Sequence, residues 1–170
     1  MLYALKTLDA SDGGDVYDML QEIPAEEMGF QNGANGLSRE GFALWLARCD
    51  EIRRGENLAE GHVPQTVYWL YADGRIVGIG KLRHRLTDAL LAVGGHIGYA
   101  VRPSRRGEGH GKAMLALLLR EARAIGIDRA LVTVSTANEP SIRVALSNGG
   151  AIEKSENGRH YVWIDTAEAI

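Results

Sequence analysis

The stretch Val101-Arg-Pro-Ser-Arg-Arg-Gly-Glu-Gly-His-Gly-Lys-Ala113 decides how the rest of the chain is read. An apolar run, Ile97 to Val101, precedes it and reads as a buried strand. A run with apolar residues at helical spacing, Met114 to Ile125, follows it. Between the two, Gly107, Gly109 and Gly111 stand at alternate positions, with Arg105, Arg106 and Lys112 around them. Glycine accepts positive φ and lets the backbone approach a ligand closely. The first turn of a helix carries free N–H groups and partial positive charge. A glycine-rich turn from strand to helix is therefore an anion site, most often for phosphate.

Three phosphate loops compete for this pattern. A Walker A loop, Gly-x-x-x-x-Gly-Lys-Ser/Thr, fails twice: Ala113 follows Gly111-Lys112, and Arg106 stands where the leading glycine belongs. A dinucleotide fingerprint, Gly-x-Gly-x-x-Gly, begins at Gly107-Glu108-Gly109 but meets Lys112 where its third glycine is needed. The third pattern, Arg/Gln-x-x-Gly-x-Gly/Ala, is filled by Arg106-Gly107-Glu108-Gly109-His110-Gly111.

Composition sets the outer limits. The chain has 170 residues, enough for one domain with a real core, and residues 1–170 are expected to form a single unit. It is 45% hydrophobic and 24% charged, ordinary for a globular protein. Its net charge of -3 and the lack of a long basic run argue against nucleic acid as a partner. A single cysteine, Cys49, excludes an internal disulfide and reads as a buried small hydrophobe. No run approaches membrane-spanning length and the N-terminus lacks a secretory core, so a cytoplasmic location is the expectation.

Periodicity then orders the elements. Leu2 to Leu8 reads as a strand, and Val16, Met19, Leu20 and Ile23 mark a helix that stops at Pro24. Ala25 to Gly36 is polar, and the acids in and just before it, Glu22, Glu26 and Glu27, face either a substrate or solvent. Ser38 opens a second helix with the stripe Phe42, Trp45, Leu46, Cys49 and Ile52. Val67–Tyr71 and Arg75–Arg83 are strands joined by the hairpin signal Asp73-Gly74. Gly95 to Val101 is the next strand. The helix after the glycine loop has the inner stripe Met114, Leu117, Leu118, Ala122 and Ile125, and Gly126 stops it. Ala130 to Ser135 is a strand, Asn138 opens a short helix, and strands on either side of Glu156-Asn157-Gly158 close the chain. The order β-α-α-β-β-β-α-β-α-β-β describes an α/β domain with a mixed sheet.

With Val101 and Pro103 ahead of the loop and Lys112-Ala113-Met114-Leu115 behind it, this region resembles the acyl-CoA loop of the GNAT (Gcn5-related) N-acetyltransferase superfamily. The element order resembles that fold along nearly the whole chain. Leu82-Arg83-His84, Gly94 to Tyr99 and Asn148-Gly149-Gly150 are similar to a less characterised branch of predicted acetyltransferases.

The resemblance implies a mixed central sheet with a splayed strand pair, Gly95–Val101 and Ala130–Ser135, that holds acetyl-CoA as co-substrate. Ala100 and Val101 would pair with the pantetheine arm. Arg106, Gly107, Glu108, Gly109, His110, Gly111 and Lys112 would hold the pyrophosphate, with the His110 ring in solvent. Asn138 would touch the pantetheine arm or cap its helix.

The family often places a tyrosine acid where this chain has Ala145, so the acid is not inherited. His96 is a candidate general base, or else a core histidine, and Tyr99 is a candidate acid or substrate contact. Arg83, His84 and Arg85 would hold an anionic group or form a solvated strand end. No metal is expected. The implied activity is transfer of an acetyl group to the amine of a small molecule. The rival reading is a CoA-binding sensor or regulatory domain without turnover. Nothing suggests a membrane partner, and a homodimer through the closing strands is a further expectation.

Overall fold

The computed structural model describes residues 1–168. Its strands are β1 (Tyr3–Thr7), β2 (Glu26–Glu27), β3 (Phe30–Gln31), β4 (Gln65–Ala72), β5 (Arg75–Arg83), β6 (Ile97–Val101), β7 (Arg129–Ser135), β8 (Ala151–Glu156) and β9 (Arg159–Asp165). Its helices are α1 (Gly14–Glu22), α2 (Arg39–Arg53), α3 (Asp88–Ala92), α4 (His110–Ala124) and α5 (Glu139–Ser147). Among the described residues no helix is long and apolar enough to cross a membrane.

Local chemistry accounts for most boundaries. Ser38 caps α2 by accepting from the Gly41 N–H, and Thr87 caps α3 by accepting from Leu90. Asp73-Gly74 and Asn157-Gly158 turn their hairpins with positive φ at both positions, the geometry that asparagine, aspartate and glycine tolerate. The buried stripe of α1 is Val16, Met19 and Leu20, as the periodicity predicts. In α4 the stripe is wider than predicted. Leu115 and Leu119 are fully buried beside Met114, Leu118 and Ala122, because α4 packs on β5, β6 and α5 at once. Ile125 lies past the last turn and is 47% exposed.

The mixed sheet is realised as two antiparallel sheets, β1-β4-β5-β6 and β7-β9-β8, that meet at one point. There the His96 N–H donates to the Leu131 carbonyl (2.8 Å), and the Leu131 N–H donates to His96 Nδ1 (2.9 Å). The Gly94 N–H adds a bond to Thr133 Oγ1 (3.0 Å). Beyond this joint no ladder connects β6 to β7, so the two strands diverge. The β2–β3 hairpin, which the sequence reading leaves as loop, overhangs the opening beside α2.

Candidate active site

The gap between β6 and β7 is a cleft of about 850 Å³. The glycine loop and α5 line one mouth; β2–β3, Lys81, Arg83 and Arg159 line the other.

At the first mouth, Gly109 is the N-cap of α4 and sits in the left-handed region at φ +85°. No side chain caps the helix. Among the described residues, the backbone N–H groups from Gly107 to Lys112 have no acceptor in the protein. A Cβ on Gly107 or Gly109 would meet nothing within 4 Å, so both face open space. A curved row of free N–H donors at a helix start is a nest for an anion with several oxygens.

The charged side chains of the loop are mostly engaged. Arg105 pairs with Glu108 through two bonds of 2.9 Å. Arg106 reaches across the opening to Glu27 (2.5 and 3.3 Å) while its Nε donates to the Val101 carbonyl (3.0 Å). Lys112 lines the cleft and has no ion pair among the described residues. Glu22, the other acid of interest, ties α1 to the loop by accepting from Arg102 and from the Ser104 N–H. Burial alone would raise its carboxyl, but the bonds from Ser104 and Arg102 outweigh that and hold it low.

His110 departs from expectation. Its ring is 1% exposed, packed edge-on against Tyr3, whose hydroxyl lies 3.0 Å from Nδ1, while Glu108 lies 3.3 Å from Nε2. The first turn of α4 rests on β1, which the local sequence does not announce. The loop position of His110 faces the cleft, but its ring belongs to the core.

Strand β6 supplies the edge of the cleft. Ala100 lies opposite Ile79 in the ladder with β5, in phase with the bond from the Arg102 N–H to the Val77 carbonyl. Antiparallel pairs alternate between bonded and non-bonded. Ala100 therefore turns its N–H and C=O to β5, and the free edge belongs to Tyr99 and Val101. This corrects the expectation for Ala100, whose backbone is already engaged, and adds the Tyr99 backbone to that of Val101.

The two catalytic candidates separate. His96 is 6% exposed and does not line the cleft. Its Nδ1 lone pair is taken by Leu131, and burial, then the nearby Arg83 charge, lower its pKa. It is the clasp between the sheets. Tyr99 does line the cleft, and its hydroxyl lies 2.9 Å from Ser141 Oγ on α5. Burial raises its pKa, so the phenol keeps its proton. Asn138 caps α5 by accepting from the Ser141 N–H (3.4 Å) and lines the cleft as well. Ala145 faces the core at 1% exposure.

Sequence reasoning missed Lys81, Arg159, Ser141 and Phe30. Lys81 Nζ donates to the Gln31 carbonyl and lies 4.6 Å over the Phe30 ring. Burial, with a smaller effect from Arg83, lowers its pKa to about 8. Arg83 donates from one nitrogen to the carbonyls of Gly94 (3.1 Å) and Gly95 (3.2 Å), bracing the joint. Cys49 is half-buried, and burial pushes its thiol up to about 11, which leaves it inert. Among the described residues no three His, Cys, Asp or Glu side chains gather as a metal cradle.

Comparison with known proteins fits this geometry. The sequence matches the model of the acetyltransferase (GNAT) family over residues 28–149, from β3 to the end of α5. No curated protein matches the chain. The fold is similar to Campylobacter jejuni N-acetyltransferase PseH in complex with acetyl coenzyme A (TM-score 0.65, 12% identity, 96% of this chain and 99% of that one). It is similar to ribosomal-protein-S5-alanine acetyltransferase from Vibrio fischeri (TM-score 0.66, 16% identity, 99% and 95%). It is also similar to yncA, a putative acetyltransferase from Salmonella typhimurium with acetyl-CoA (TM-score 0.62, 16% identity, 96% and 94%). Identities this low speak for the fold alone, whereas the family model spans β3, the joint, the glycine loop and both cleft strands. The chain belongs to the GNAT acetyltransferase family.

Proposed function

We propose that residues 1–170 act as one N-acetyltransferase domain that moves the acetyl group of acetyl-CoA to the amine of a small molecule. The observation that carries this reading is the pairing of an N–H nest with a free strand edge along one cleft. The nest from Gly107 to Lys112 suits a pyrophosphate, and Lys112 adds charge. The free N–H and C=O groups of Tyr99 and Val101 suit an amide-bearing arm laid beside β6 as an added strand. Asn138 stands on the opposite wall. Arg106 Nε must leave the Val101 carbonyl for the arm to reach it.

The chemistry follows from position. The amine nitrogen bonds to the thioester carbon, the carbonyl becomes an oxyanion, and the carbon–sulfur bond then breaks. One of the two free edge N–H groups, that of Tyr99 or Val101, is the donor for the oxyanion, and the other serves the arm. The Tyr99 hydroxyl gives its proton to the departing thiolate, and Ser141 orients that hydroxyl; the pair does the work of the tyrosine absent at Ala145. The proton lost by the amine passes through water and restores the Tyr99 phenol. No histidine base is required when the amine arrives neutral, and cations at the second mouth favour that form.

Gly109→Asp is the direct test. A Cβ there meets open space and the left-handed φ of +85° costs an aspartate only about 1–2 kcal/mol, so the fold should survive with a somewhat lower melting temperature. The new carboxylate would sit in the nest and repel phosphate, lowering CoA affinity at least about tenfold, or 1.4 kcal/mol. Calorimetry with CoA and a melting curve check both parts; unchanged affinity would refute the assignment. Thiol release from acetyl-CoA across a panel of amines separates an enzyme from a CoA sensor, because a sensor binds CoA and releases no thiol.

A further inference from the structure

The cleft passes between the two sheets, and its mouths differ in charge. Beneath the β2–β3 hairpin the lining carries Lys81 and Arg83 from the first sheet and Arg159 from the second, whose guanidinium would lie 3.7 Å from a Cβ on Gly29 of the hairpin turn. Among the described residues no carboxylate lies within 4.0 Å of any of these three cations. The one acid among the described residues that line the cleft, Glu27 of the hairpin, is held by Arg106. Lys81 has only the Gln31 carbonyl and the Phe30 ring, and Arg83 uses a single nitrogen on the joint. Cations withdrawn from water are rare unless paired, because desolvation penalises them. Three around one opening call for an anion that the described residues do not supply.

The phosphates of the co-substrate are poorly placed to supply it to Lys81 and Arg83. The nest lies beyond Val101, which pairs with Gly78; Lys81 pairs with Gly98, further along the ladder. At the usual rise per strand residue, Lys81 is about 10 Å and Arg83 about 17 Å along β5 from the nest end. The two mouths also open on opposite faces. Tyr99 points to Ser141 on α5, whereas a Cβ on Gly98 would point at Phe30, 3.7 Å away.

Resting on the acetyltransferase reading, we propose that the acceptor is a small amine that also carries a compact anionic group, carboxylate or phosphate, held by Lys81, Arg83 and Arg159. The amine end then points along the cleft to the free edge of β6 at Tyr99 and Val101. Phe30 and Met28 cover the aliphatic part between them. Polyamines and other acceptors without an anion are repelled at this mouth.

Matched acceptors test this. One series pairs amino acids with their decarboxylated amines; the other pairs aminoalkyl phosphates with the amino alcohols. Thiol release gives kcat/KM for each member. Calorimetry of the N-acetylated members onto the CoA complex reads the same preference without turnover. In one series the anionic member should be favoured at least about tenfold, which names the group. Lys81→Met and Arg159→Gln should each cut that preference severalfold while CoA affinity holds and neither variant melts below wild type. Neutral members that react and bind as well as anionic ones would overturn the proposal. So would variants that keep the wild-type preference, or the absence of binding by every anionic member. If no amine reacts but acetylated anions still bind selectively, the transfer reading falls and the anion site stands.

Discussion

A backbone N–H can only donate, so the Leu131 N–H fixes the tautomer of His96: Nδ1 carries the lone pair and Nε2 the proton. A base needs a free lone pair within reach of the reacting amine. The Nδ1 lone pair of His96 is already taken and faces β7. Tyr99, three positions on, is the reverse case. Its hydroxyl stands in the cleft, keeps its proton because burial raises its pKa, and has a hydrogen-bonding partner in Ser141. Tyr99→Phe removes only the oxygen. General acid catalysis contributes up to about 10²–10⁴-fold, and a thiolate is a willing leaving group, so kcat should fall about 10- to 100-fold. The KM for acetyl-CoA should hardly move, since the β6 backbone is untouched. Steady-state thiol release checks this, and an unchanged kcat would assign the proton to another donor.

At the level of elements, the joint between β6 and β7 sets the width of the cleft. Gly95 sits there at φ +61°, and a Cβ on it would lie 2.4 Å from the Leu131 carbonyl oxygen. Gly95→Ala therefore combines a strained φ with a backbone clash, and should destabilise the fold by about 2–4 kcal/mol. CoA affinity should drop too, because the strands can no longer meet at His96. Urea unfolding and calorimetry measure the two effects; a neutral substitution would mean that the joint is slack. The sequence announces neither the joint nor its glycine, since the contact spans two strands far apart in the chain. What it does announce is local: the glycine loop, the two hairpin turns, the caps at Ser38 and Asn138, and the stripe of α1. What it conceals arises from packing. The α4 stripe widens because three elements cover it, His110 is buried by β1, and β2–β3 are two-residue strands with no period to read. Lys81 looked like any strand residue until α2 and the hairpin closed over it.

For the whole molecule, a net charge of -3 hides a positive cavity wall. The stability curve should register that wall through Lys81, whose pKa in the fold is about 8 against an ordinary value of 10.5. Below pH 8 both folded and unfolded chains hold the proton, and the fold bears the full desolvation penalty. Between about 8 and 10.5 the unfolded chain binds more protons than the folded one, so stability rises with pH. Above that window neither state is charged and the penalty is gone. Lys81→Met has no such group. The difference in unfolding free energy, wild type minus Lys81→Met, should thus climb by about 1–3 kcal/mol across the window, solvent in the open cleft keeping it below the full value of the shift. Tyrosine ionisation is common to both proteins and cancels in the difference. Urea titrations at pH 7.5, 9 and 10.5 measure it, and a flat difference would mean that Lys81 titrates as it does in water. An anion bound at the second mouth neutralises the same charge. A saturating acetylated amino acid, if the carboxylate series is the favoured one, should therefore raise wild-type stability most at pH 7.5 and least at pH 10.5.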